Sequence, residues 1–193
     1  MSEKTRKTFA VTVMLTLVPA LMTVLFFALY RQNGKAAFFK AGGITLTVFY
    51  QFAMRLTVGE WISARFRKRD FPQDRFGFPI RAFEKDLYKR WNVKRRKKSV
   101  ITAKPELFDL RRLSPRELLH NVLQAELVHR VSMGLSLLPL LFIFPFGMPC
   151  FMIAASALGC LIDFKYMVIQ RYNRPRVIRY METAAKRETK RGL

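Results

Sequence analysis

A carboxylate–imidazole pair stands at helical spacing just before a long apolar segment. Glu126 and His129 are three residues apart, so a helix places both side chains on one face. A histidine that is oriented by a neighbouring carboxylate can act as a general base and remove a proton from a hydroxyl group. The same spacing also fits a structural pair that is satisfied by Arg130 or by lipid headgroups, so both interpretations stay open.

A second polar group follows the apolar segment and is rich in arginine. It begins at Asp163 and Lys165 and continues as Gln170-Arg171-Tyr172-Asn173-Arg174-Pro175-Arg176. Arginine offers a planar fork of donors that suits a phosphate or a developing oxyanion, although arginines also commonly follow a last membrane span. Pro175 predicts that the helix ends there, so that the three guanidinium groups need not point one way.

Other site types find little support in the sequence. Cys150 and Cys160 lie in apolar sequence away from any His or Asp at ligand spacing, which favours two lipid-buried thiols over a disulfide or a metal site. Ser132 and Ser136 lack the Gly-x-Ser-x-Gly context of a hydrolase nucleophile, and the glycines form no phosphate-binding loop. No metal site is predicted.

Charge and hydrophobicity are segregated along the chain, and this segregation indicates the class of protein. The 193 residues are 51% hydrophobic yet carry a formal net charge of +22, while residues 131–162 carry no charge at all. An uncharged run of this length exceeds the roughly 18 residues that indicate a membrane span. The sequence therefore predicts an all-α, polytopic membrane protein and excludes a large soluble catalytic domain.

Four transmembrane helices are predicted, at about residues 8–30, 41–59, 124–144 and 149–170. A cleaved signal peptide is the alternative for the first, but its apolar stretch is too long and no small-x-small site follows. Arg55 interrupts the second, so a re-entrant or interfacial segment is also open there. The last two are expected to form a hairpin, because Pro145-Phe146-Gly147-Met148-Pro149 indicates a turn.

This arrangement places the most basic regions on one side of the membrane. The N-terminus, the segment 62–123 and a basic C-terminal tail at 171–193 share that side, which the positive-inside rule assigns to the cytoplasm. We therefore expect a single membrane domain over residues 1–193, located in the cell membrane. A hairpin centred on Gly147 further places His129 level with Lys165, so the two polar groups should meet.

The segment 62–123 is expected to lie along the membrane surface. Phe83, Leu87 and Trp91 recur every four residues, which is typical of one face of an interfacial helix. The basic run Lys94–Lys98 then faces anionic headgroups; nucleic acid is a possible partner for such a run, but the neighbouring spans favour the membrane. Ser114-Pro115-Arg116-Glu117 has the pattern of a helix N-terminus.

The two polar groups together resemble the paired signature of a known family. Ala125-Glu126-Leu127-Val128-His129 and the string 170–176 are similar to those of the glycosyl-diaponeurosporenoate acyltransferases, small membrane enzymes that esterify a sugar on a carotenoid. The resemblance extends from about Phe83 to Arg179. The chain reads Arg96-Lys97-Lys98 where members carry Trp-Lys-Asp, and this positive charge suits an anionic partner better than a neutral glycocarotenoid.

The resemblance implies transfer of a fatty acyl group from a thioester donor, such as an acyl-CoA, to a hydroxyl of a glycolipid or other lipid-like acceptor. His129 and Glu126 are the predicted catalytic residues, with no permanently bound cofactor. The residues predicted to bind substrates are Arg171, Tyr172, Asn173, Arg174, Arg176, Glu84 and Tyr88. The expected partners are anionic membrane lipids and the acceptor, without nucleic acid. Two alternatives stay open: a non-catalytic protein that binds anionic lipid or a partner membrane protein, and a small polytopic methyltransferase or reductase.

Overall fold

A computed structural model describes residues 3–67, 82–93, 108 and 113–190, and every regular element within these ranges is helical. The α-helices are α1 (Glu3–Asn33), α2 (Ala36–Phe66), α3 (Ala82–Arg90), α4 (Pro115–Leu135), α5 (Ile143–Phe146) and α6 (Pro149–Lys190). A short 3-10 helix, Leu138–Phe142, precedes α5. The all-α prediction is confirmed for these residues, whereas the basic run Lys94–Lys98 lies outside them.

Within the part of the chain that the structure describes, three helical segments are long and apolar enough to cross a membrane. They are Ala10–Asn33, Pro115–Phe146 and Pro149–Lys186. They overlap the predicted first span and contain both arms of the predicted hairpin, which is consistent with the predicted membrane protein. The predicted second span, 41–59, lies within α2, which is one unbroken helix of 31 residues but is not among the three.

The predicted turn between the hairpin arms is present, but the first arm differs from the prediction. Gly147 adopts a φ of 66°, and its N–H donates to the carbonyl of Ile143 at 2.8 Å. The predicted arm 124–144 is not a single α-helix, because α4 ends at Leu135. Pro139 has no N–H to donate to the Leu135 carbonyl, so the chain continues as the 3-10 helix instead.

The prediction that Pro175 ends the last helix was wrong. α6 runs for 42 residues with Pro175 in its interior, so the expected basic tail from residue 171 is largely helical. An interior proline costs about 3 kcal/mol, since it removes one backbone hydrogen bond and crowds the carbonyl four residues earlier. Ion pairs made by Arg171 and Arg174, described below, stabilise this part of the helix.

The chain divides into two compact units, Met1–Trp61 with Val128–Phe164 and Ile62–Leu127 with Lys165–Leu193. In the first unit, polar side chains tie α2 to its neighbours. The Thr23 hydroxyl on α1 donates to Thr45 at 3.0 Å, and Thr47 donates to the Met152 sulfur on α6 at 3.2 Å. Polar contacts therefore supplement apolar packing between these helices.

Glycines of α2 allow aromatic rings to pack directly on its backbone in the first unit. A Cβ at Gly43 would lie 2.5 Å from the Phe146 ring, and one at Gly42 would lie 2.7 Å from Phe27. The rings of Phe39 and Phe146 are 4.9 Å apart, and those of Phe27 and Phe146 are 6.1 Å apart. Phe146, next to the Gly147 turn, thus packs against α1 and α2.

The second unit has its own apolar core, built mainly by the first half of α4. Its buried residues are Leu118, Leu119, Val122, Leu123 and Val177. The α4 residues recur at helical spacing, so one face of the helix is buried against α6. The predicted start of this helix is confirmed: the Ser114 N–H donates to the Glu117 carboxylate at 2.8 Å, and the Glu117 N–H donates to the Ser114 hydroxyl at 3.3 Å.

Candidate active site

One face of α2 carries a polar stripe through otherwise apolar sequence. Thr47, Gln51 and Arg55 are spaced four residues apart, so they project from the same side of the helix. Thr47 and Gln51 are buried, and the Gln51 side-chain oxygen accepts from Arg55 Nη1 at 2.8 Å. The Arg55 guanidinium therefore lies on the side of α2 that faces the interior of the first unit.

Arg55 meets a carboxylate and an imidazole there, in a group that we call the histidine cluster: Arg55, His129, Ser136 and Asp163. Arg55 Nη2 donates to Asp163 Oδ2 at 2.7 Å, and His129 Nδ1 lies 3.0 Å from Asp163 Oδ1. Arg55 Nη2 also donates to the Ser136 hydroxyl at 3.1 Å. The cluster thus joins α2, α4 with the residue after it, and α6.

Burial in the histidine cluster is graded. The Asp163 side chain is 1% exposed, whereas those of Arg55 and His129 are each 24% exposed. A buried carboxylate is tolerated when it is paired and hydrogen-bonded, and each Asp163 oxygen has such a partner. When His129 is neutral and donates from Nδ1 to this carboxylate, its lone pair lies on Nε2, which is the arrangement of a general base oriented by an acid.

A glycine makes the close approach of α2 to α6 possible. The Gly159 carbonyl accepts from Arg55 Nη2 at 3.1 Å. A Cβ at Gly159 would lie 2.9 Å from the Gln51 side-chain oxygen, 3.0 Å from the Ser136 hydroxyl and 3.1 Å from the guanidinium. A side chain larger than hydrogen at this position would therefore crowd the polar ends of the cluster.

The sequence indicated His129 as a candidate residue but did not identify the side chains that contact it. The hairpin placed His129 level with Lys165, whereas its carboxylate partner is Asp163, two residues earlier. Arg55 was interpreted only as a charge that interrupts a span. The polar stripe on α2 is the signal that could have revealed it, since an arginine within apolar helical sequence is commonly a functional residue with a specific partner.

The second unit holds a separate group that we call the arginine cluster: Glu84, Glu126, Arg171 and Arg174. Arg171 donates from Nε to Glu84 Oε2 at 3.0 Å and from Nη1 to Glu126 Oε1 at 2.8 Å, and its Nη2 also contacts Glu84. Arg174 Nη1 donates to Glu126 Oε2 at 3.1 Å. All four residues are buried, so two positive and two negative charges balance away from solvent.

The arginines of the string 170–176 lie on two different faces of α6. Arg171 and Arg174 are three residues apart and share the buried face. Glu126, which the sequence suggested as the partner of His129, instead presents one oxygen to each of these arginines. A role for Glu126 beside His129 stays a prediction, while Asp163 is a carboxylate in direct contact with the imidazole.

Aromatic residues extend the arginine cluster. The Tyr88 hydroxyl donates to Glu84, and the Tyr88 ring packs edge-on against Tyr172 at 5.5 Å between centroids. The exposed Arg176 lies over the Tyr172 ring, 4.0 Å from its centroid, and donates to its hydroxyl. Burial and the Glu84 carboxylate both raise the pKa of the Tyr88 hydroxyl, so it remains a donor at physiological pH.

The remaining candidates are placed as follows. Asn173 has a buried side-chain oxygen for which the described part of the chain supplies no hydrogen-bond partner.

The two cysteines differ in their exposure and contacts. Cys150 is exposed, and the Cys160 thiol donates to the Met133 carbonyl at 3.3 Å. Among the described residues no group of three or more His, Cys, Asp or Glu side chains is arranged to hold a metal ion. The structure brings Glu84, Tyr88, Arg171 and Tyr172 into one network of contacts.

Helices long enough to cross a bilayer, with ionisable side chains buried between them, define a polytopic helical membrane protein. The family described as glycosyl-4,4'-diaponeurosporenoate acyltransferase matches residues 71–183, more than half of the chain. The chain therefore belongs to this acyltransferase family, which confirms the resemblance noted in its sequence. The match includes both clusters except Arg55. No curated protein and no solved structure matches the chain.

Proposed function

We propose that this protein is a membrane-embedded O-acyltransferase. It moves a fatty acyl group from a thioester donor, such as an acyl-CoA, to a hydroxyl group of a glycolipid or another lipid-like acceptor. The observation that carries this proposal is the 3.0 Å contact between His129 Nδ1 and Asp163 Oδ1, within the residues that match an acyltransferase family. An imidazole held in this way is suited to activate a hydroxyl group.

His129 is the general base in the proposed reaction. Its Nε2 takes the proton of the acceptor hydroxyl while the oxygen attacks the carbonyl carbon of the thioester, forming a C–O bond. The tetrahedral intermediate then collapses, the C–S bond breaks, and the leaving thiolate takes the proton from the imidazolium. Asp163 keeps the ring in the required tautomer and stabilises its positive charge without itself being protonated.

The arginine cluster has a supporting role in this proposal. Arg171 directs Nε and both Nη groups to carboxylates, and Glu126 accepts from two arginines, so these groups hold α3 against α4 and α6. Binding of the substrates then falls to the other members of the string. Arg176 is exposed and suits a phosphate of the donor, while Tyr172 and Asn173 suit hydroxyl groups of the acceptor.

We also propose four membrane crossings in the cell membrane, with both termini in the cytoplasm. α2 would be the additional crossing, because its 31 residues reach about 46 Å at about 1.5 Å per residue. The charge of Arg55 is met by Asp163, which lowers the cost of placing it in a bilayer. Phe83 on α3 and Trp91, the residue after it, are exposed, which favours contact of this segment with the membrane interface.

The test uses the full chain in lipid nanodiscs, radiolabelled palmitoyl-CoA as the donor and dodecyl glucoside as a lipid-like acceptor. We expect acylated glucoside from the wild type and a loss of about 10² to 10⁴-fold in kcat for His129→Ala. The matched control is His120→Ala, the other histidine of the sequence, which should retain activity. Equal activity of both variants would remove His129 from the mechanism.

The same preparation separates transfer from simple lipid binding. Mass spectrometry of the molecules retained by the purified protein should detect an acylated acceptor or a CoA-type donor. Retention of bulk anionic phospholipid alone, together with no transfer to the glucoside, would contradict the proposed activity. That outcome would favour a protein that binds anionic lipid without chemistry.

A further inference from the structure

We propose that Arg55 is a positioning residue for acyl transfer, acting through Asp163 on the tautomer of His129. Arg55 lies on α2, outside residues 71–183 that match the family. The inference rests on the proposed function, because it assigns Arg55 a part in the same site. Its physical basis is the way in which one carboxylate is shared between two side chains.

The two oxygens of Asp163 have different partners. Oδ2 accepts from Arg55 Nη2 at 2.7 Å, and Oδ1 faces His129 Nδ1 at 3.0 Å. A carboxylate held at one oxygen cannot rotate freely, so the guanidinium determines where the other oxygen points. The oxygen that faces Nδ1 in turn selects the tautomer with a proton on Nδ1 and a lone pair on Nε2.

Arg55 is itself held by contacts to three segments. Besides Asp163, its Nη2 donates to the Ser136 hydroxyl and to the Gly159 carbonyl, both at 3.1 Å, and its Nη1 donates to the Gln51 side chain at 2.8 Å. Nη2 carries two hydrogens and faces three of these acceptors, so at least one of its hydrogens is shared, while Nη1 serves the fourth acceptor. A lysine at this position keeps the charge but offers a single ammonium group, which cannot reach all of them at once.

The first experiment reads the tautomer directly and needs no substrate. The sequence has two histidines, so ¹⁵N-histidine labelling in a His120→Gln background leaves His129 as the source of the ring signals. We expect the parent protein to show a protonated Nδ1 and an unprotonated Nε2. Arg55→Lys, which retains the positive charge needed near Asp163, should give a mixture of the two tautomers.

The matched control is Arg65→Lys, an exposed arginine on the same helix, which should leave the ring signals unchanged. Thermal unfolding in nanodiscs checks that each variant is folded. Should Arg55→Lys unfold, Ser136→Ala removes one anchoring contact of the guanidinium and should shift the ring signals in the same direction. Parent-like ring signals in the folded variant would overturn the inference.

The second experiment measures transfer of palmitate to dodecyl glucoside. We expect Arg55→Lys to lower kcat by about 10 to 100-fold and to leave KM within about twofold, because the residue orients the base and does not touch substrate. An unchanged kcat, or a loss confined to KM, would overturn the positioning role. If the wild type transfers no palmitate, the proposed function fails, while the ring signals still decide whether Arg55 sets the tautomer.

Discussion

His129 on α4 and Asp163 on α6 meet with 3.0 Å between Nδ1 and Oδ1, although they are 34 positions apart in the chain. The contact links the two arms of the hairpin inside the first unit. It gives the imidazole a buried acid partner whose second oxygen is occupied by Arg55. A carboxylate held in a fixed direction can orient the imidazole, and this supports the proposed role of His129 as a general base.

The close approach at Gly159 should be sensitive to a single methyl group. Gly159→Ala places a Cβ within 3.1 Å of the ends of Gln51, Ser136 and Arg55, so we expect a cost of about 1 to 3 kcal/mol and reduced turnover. Gly134→Ala is the matched control, because nothing lies within 4 Å of its added Cβ. Thermal unfolding and palmitate transfer measure both effects, and similar behaviour of the two variants would contradict the crowding argument.

Glu126 can be tested for its structural role in the arginine cluster. Glu126→Gln removes one of the two buried carboxylates that balance Arg171 and Arg174, and we expect a loss of about 3 to 5 kcal/mol in the free energy of unfolding. Glu182→Gln, an exposed glutamate of α6, should change stability little. A Glu126→Gln protein of normal stability but without turnover would instead support the role beside His129 that the sequence suggested.

Pro175 should be a source of instability within α6. Pro175→Ala restores an N–H that can donate to the Arg171 carbonyl, and we expect stabilisation of up to about 3 kcal/mol. Pro149→Ala, at the first residue of the same helix, should give no such gain, since proline is favoured there. Thermal unfolding in nanodiscs makes the comparison. A destabilised Pro175→Ala protein would show that the interior proline is needed for packing.

The proposed topology predicts the reactivity of one native cysteine. Cys150 is exposed next to the turn at Gly147, which the proposal places outside the cell. In a Cys160→Ala background, a membrane-impermeant maleimide should label Cys150 in intact cells. A Cys150→Ala, Cys160→Ala protein supplies the unlabelled control. Labelling that requires permeabilised membranes would place the turn on the cytoplasmic side and reverse the orientation.

Local patterns in the sequence determined the class of protein and several of its elements. The uncharged run 131–162 indicated membrane helices, and the proline–glycine string around Gly147 indicated the hairpin turn. The cap at Ser114 and the candidate His129 could likewise be recognised, because each depends on residues close together in the chain. Patterns of this kind report what one segment does, with little information on what it packs against.

Tertiary structure alone decided which charged groups are partners. Asp163 and Arg55 contact across helices from distant parts of the sequence, and Glu126 lies with Arg171 and Arg174. Such partners depend on the register between helices. The 3-10 helix after α4 follows the local preference of Pro139, whereas α6 continues through Pro175, where ion pairs outweighed the local preference of a proline.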